Sequence, residues 1–137
     1  MKTMAYTQTQ NLTLDGEGAF EELYRRLARW TQEAAEGHAR GDRAVVDTKV
    51  ERCVSLLGFM DREIDPSQNH EVANAILSLH RFAIGTLIRA KIGTIVKHKD
   101  RTAIIELEAL PRVFVSLAEI FAAMRERKSS LAQARAL

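Results

Sequence analysis

Residues 70–96 read HEVANAILSLHRFAIGTLIRAKIGTIV, and the placement of their apolar side chains decides the fold. Val72, Ile76, Leu79, Ala83 and Ala90 recur at steps of three, four and seven, which is one stripe of a helix; Leu77, Ile84 and Ile88 form a second. Asn74, Ser78, Arg81, Gly85 and Arg89 remain as a narrow polar line. A helix with so little polar surface is expected to be covered on most sides, so it needs helical neighbours.

Those neighbours flank it in the chain. Upstream, Val46, Val50, Cys53, Leu57, Met60 and Ile64 make a helical line that Asp42 can cap and that Asp65, Pro66 and Ser67 end. Before it, Phe20, Leu23, Tyr24, Leu27, Trp30 and Ala34 line one side of a helix whose other side carries Glu21, Glu22, Arg25, Arg26 and Arg29; Gly37 to Gly41 breaks it. Downstream, Lys97, His98 and Lys99 suit a helix C-terminus, and Asp100 can cap a fourth helix. That helix carries Ile104, Leu107, Leu110, Phe114, Leu117, Phe121 and Met124, with Pro111 expected to kink it. Short connections predict an all-α, antiparallel up-down four-helix bundle in a single domain over residues 1–137. Residues 1–16 read as a flexible N-terminal covering segment, and residues 125–137 as a solvated, frayed basic tail.

Composition agrees. The 137 residues are 46% apolar and 28% charged, with seven glycines and two prolines, the balance of one globular domain. No apolar run approaches the ~20 residues that span a bilayer, so no stable membrane insertion is expected. Residues 1–14 lack the apolar run of a secretory signal, which points to the cytoplasm. The net charge of +2 arises from Arg125, Arg127, Lys128 and Arg135 against Glu126, a tail of +3 on a body of −1. Nucleic acid is therefore not an expected partner.

Catalytic and metal patterns fail at definite residues. His70 and Glu71 open a zinc-protease motif, but Asn74 stands where the second imidazole is required. Three positions before His38, His70, His80 and His98 stand Ala35, Ser67, Leu77 and Ile95, so no Glu-x-x-His pair can hold two irons. Asp61, Glu63, Asp65 and Ser67 alternate like a calcium loop, yet Val72 falls where the bidentate Glu belongs. The lone Cys53 reads as core, and His80 as a hydrogen-bonded core histidine. An enzyme using His80 with an Asp or Glu of a neighbouring helix is the weakest functional reading. No cofactor, metal or catalytic residue is expected.

The chain also carries an apolar surplus. Ile105 and Val115 lie on the otherwise charged line through Arg101, Glu108, Arg112 and Glu119, and residues 70–96 carry two stripes. Either a central third helix has both stripes covered, or the surplus lines a groove, meets a fifth segment or meets a partner.

The order of segments resembles the FliS family of flagellar export (secretion) chaperones. The resemblance rests on Phe20, Glu21, Glu22, Leu23 and Tyr24; on Gly41 and Asp42 before a helix reaching Leu56, Leu57, Ile64 and Asp65; on Glu71, Val72, Ala73 and Asn74 running to Leu79, Phe82, Leu87 and Ala90; and on Asp100 leading to Ala118, Glu119, Ile120 and Phe121. It covers residues 5–124. The chain departs from the family at Gly16 to Gly18 (usually Ser-Pro), Asn69 and His70 (Gly-Gly), His80 (Tyr) and Lys91 (Asn).

The resemblance implies a flagellum-biogenesis chaperone that binds the disordered C-terminal segment of flagellin in the cytosol and keeps it from polymerising before secretion. It implies partner-binding residues among the surplus, namely Leu77, Ile84, Ile88, Ile105 and Val115, with Tyr6 as a displaceable cover. An export-gate component stands open as a further partner, and the chain as monomer or weak homodimer. The other reading of the same surplus is a homodimeric interaction or regulatory protein with no flagellin client.

Overall fold

The computed structural model describes residues 16–65, 67, 69–96 and 101–136. Four helices follow in order: α1 (Gly16–Arg40), α2 (Arg43–Glu63), α3 (His70–Val96) and α4 (Arg101–Ala136). Each runs antiparallel to the next, and α4 returns beside α1, closing a four-helix bundle. The all-α architecture is the one the apolar spacing predicts, with no strand among the described residues.

The turn between α1 and α2 is the tightest. Gly41 sits at φ 71°, where a side chain is strained. Its N–H donates to the His38 carbonyl at 3.1 Å, and that of Asp42 to the Gly37 carbonyl at 2.8 Å, a pair of bonds that satisfies the last carbonyls of α1. Asp42 then begins α2, its carboxylate accepting the Val45 N–H at 3.2 Å. The expected cap is therefore in place. Asn69 does the same for α3, accepting the Val72 N–H at 3.4 Å on its side-chain oxygen. Tyr6, Pro66, Lys97 to Lys99 and Asp100 lie outside the described residues.

α1 packs most extensively on α4, then on α2; α3 is held by α2 and, most sparsely, by α4. Tyr24, Leu27, Val50, Cys53, Leu57, Met60, Leu107, Leu110 and Phe114 are buried at the centre. Burial pushes the Cys53 thiol up to about 12, Lys49 opposing and Glu33 adding a little, so it stays a protonated core group at neutral pH. α4 passes through the buried Pro111 unbroken.

Two expectations are corrected. Residues 125–136 are not a frayed tail but the last turns of α4, in which Arg125 pairs with Glu21 of α1 at 2.7 Å. The region contains Ala, Arg, Glu, Lys, Leu and Gln, good helix formers without glycine or proline. Nor is α3 central and covered on most sides. Val72 is 49% exposed, Phe82 45%, Ile88 43% and Ile92 51%, while its buried positions are Ala73, His80, Ala83, Thr86, Leu87 and Ala90. The helix turns its small and polar side chains inward and leaves four large apolar ones, Val72, Phe82, Ile88 and Ile92, open to solvent.

Candidate functional site

Two polar ties explain that inversion. His80 is fully buried, with Nδ1 2.5 Å from Asp61 Oδ1 of α2 and Nε2 2.7 Å from the Tyr24 hydroxyl of α1. A carboxylate only accepts, so Nδ1–H donates to Asp61, and the neutral ring accepts the tyrosine proton at Nε2. Tyr24 in turn stacks on Phe114 and leans against Phe20 and Phe121. Both ring nitrogens are thus engaged, and one imidazole joins α1, α2 and α3. The reading of His80 as a hydrogen-bonded core histidine holds, with Asp61 as the partner that spacing could not supply.

The second tie closes α3 onto α4. Thr86 donates its hydroxyl to Glu106 Oε2 at 2.8 Å, and the Arg89 guanidinium pairs with the same oxygen. This tie also sets the register. Leu79 lies seven residues before Thr86, and Val113 seven after Glu106; Val72 and Ile120 lie fourteen before and after. Because both helices rise by about 1.5 Å per residue in opposite directions, each pair stays level. A seven-residue step keeps each residue on nearly the same helix face. The result is an apolar lane about 21 Å long, formed by Val72, Leu79 and Phe82 on α3 and Val113 and Ile120 on α4. Thr86, Glu106 and Arg89 close it at one end. At the other, Val72, Ile120 at 53% and Met124 at 40% are open to solvent.

The residues expected at the site are not brought together. Ile84 packs against the core, and Leu77 is half-buried. Ile88 is exposed on another face of α3, six positions and about 120° from Phe82 and nine positions and about 180° from Leu79. Ile105 is 67% exposed on the outer ridge of α4. Val115 lines a different feature, a shallow groove of about 510 Å³ between α1 and α4 with Ala28, Gln32, Pro111 and Ser116. Tyr6 lies outside the described residues. Sequence reasoning missed Val72, Phe82 and Ile120 as exposed and Val113 as half-buried, and the signal was the polar pair His80 and Thr86 on what must be the inner face.

Asn74, which replaces the second histidine of the zinc motif, donates to His70 Nε2 at 3.0 Å. Among the described residues no group of three His, Cys, Asp or Glu side chains could hold a metal ion. Among the described residues no helix is long and apolar enough to cross a membrane.

His80 gives the fold a pH dependence. Burial holds its pKa below the usual histidine value, with the Asp61 hydrogen bond and charge pulling the other way. The folded state therefore favours the neutral ring, whose contribution is complete above the unfolded value of about 6.5 and is lost as pH falls through the lower folded value. Thermal melts should show the midpoint falling from pH 6.5 to 5, before carboxylates titrate. A His80→Gln chain should have a flatter profile over that range, and an equally steep one would exclude His80 as the cause.

No family model matches the chain, and neither a curated protein nor a solved structure matches it.

Proposed function

We propose that this protein is a flagellar export chaperone that binds the C-terminal segment of flagellin in the α3–α4 lane. The observation that carries the reading is the inverted packing of α3. Each large apolar side chain left in water forgoes about 1.5–3 kcal/mol of burial, so a row of them along one lane favours a partner. A lane between two antiparallel helices suits an amphipathic segment with apolar anchors at helical spacing. A client that is disordered when free would be ordered on the lane, and its own apolar residues kept from self-association. Binding alone shifts that population, with no chemical step. Tyr6 and its neighbours would act as a displaceable cover, and the cytosol would be the place of action.

Calorimetry with a flagellin C-terminal peptide tests the reading. Binding with a clearly negative heat-capacity change is expected, as for burial of apolar surface. The same runs paired with sedimentation separate the other occupant: a concentration-dependent dimer that binds no peptide would mean that a second copy covers the lane.

A further inference from the structure

The lane does not stop where α3 begins. Glu21 and Arg125 are paired, so Gly16, five residues earlier on α1, lies level with about residue 130 of α4. His70, sixteen residues before Thr86, lies level with residue 122. The last turns of α4 therefore extend beyond every other described helix. Arg127 comes seven residues after Ile120 and Leu131 eleven, which places both on the helix face that forms the lane; Arg135 follows one turn later. Leu131 is 52% exposed, and neither Arg127 nor Arg135 has an acidic partner among the described residues. Three acids at this end of the bundle are engaged elsewhere. Glu21 is held by Arg125, Asp61 by His80 and Asp65 by Ser67. Glu126, one position before Arg127, is turned away from it by about 100°.

An apolar lane that runs into arginines with no acidic partner among the described residues selects an occupant of matching chemistry. We propose that the segment docking between α3 and α4 carries acidic residues beside its apolar stretch, and that these lie on Arg127 and Arg135 of the α4 extension. The proposal rests on the docking reading above and adds the charge and the end at which it sits.

The experiment uses the flagellin peptide extended by three Glu or by three Lys, at one end or the other, against the full chain. One Glu-extended form should bind about tenfold more tightly than its Lys counterpart at low salt, with the gap narrowing as salt rises. An Arg127→Glu, Arg135→Glu double variant should invert the order, and circular dichroism should show its helices retained. Equal affinities of the Glu and Lys forms, or a preference that survives the double reversal, would overturn the proposal while leaving the lane as a docking site. Failure of every peptide to bind would remove the docking reading itself. Binding of the wild type to vesicles of anionic lipid, with no preference between peptides, would also overturn it in favour of a membrane surface.

Discussion

Tyr24→Ala is expected to lose about 3–5 kcal/mol of folding stability, the usual range for truncating a large buried aromatic side chain. A domain has only about 5–15 kcal/mol to lose, so this variant stands near the unfolding threshold. The size follows from position. Tyr24 is fully buried among Phe20, Phe114 and Phe121, and its hydroxyl is the only described partner of His80 Nε2. Tyr24→Phe separates the two contributions. It keeps the ring but leaves a buried acceptor without a donor, for about 1–3 kcal/mol. Urea denaturation followed by Trp30 fluorescence measures both. A Tyr24→Phe midpoint equal to that of the wild type would mean that the hydroxyl contributes nothing to joining α1 and α3.

A Val72→Glu, Ile120→Glu variant is expected to bind the flagellin peptide at least about 100-fold more weakly, since each side chain that anchors an interface is worth about 2 kcal/mol or more. Stability should change by no more than about 0.5 kcal/mol per site, as for other exposed positions. Val115→Glu is the companion measurement. Val115 lies in the separate α1–α4 groove, so its affinity should stay near that of the wild type. Calorimetry on the two proteins, with thermal melts beside it, decides the matter. If the Val115 variant loses binding and the double variant retains it, the client lies between α1 and α4 instead.

Local features of this fold were legible in the sequence because they are decided within a few residues. Gly41 with Asp42 announces a turn and a cap, and α3 begins and ends where its pattern does. The inner face of α3 was not legible. Its two stripes are similarly apolar, and spacing alone offers no reason to bury the line between them. Burial of that line depends on Asp61 and Tyr24, which lie 19 and 56 residues away from His80, and on Glu106 for Thr86. The candidate site followed the same rule: Ile105 and Val115 were found as exposed apolar residues, but the lane needed the register that Thr86 and Glu106 set. Nor did counting charges in the last residues reveal that they form a helix projecting from the bundle.

The most extensive interface joins α1 to α4, the two helices farthest apart in the chain. Most of the other pairs form between sequence neighbours, at little cost in loop closure; this one must close a loop of about a hundred residues. During synthesis the apolar side of α1 thus leaves the ribosome long before its main partner exists. Native burial of Tyr24 waits for Phe114 and Phe121 to emerge, so the first helix made is among the last to reach its final packing.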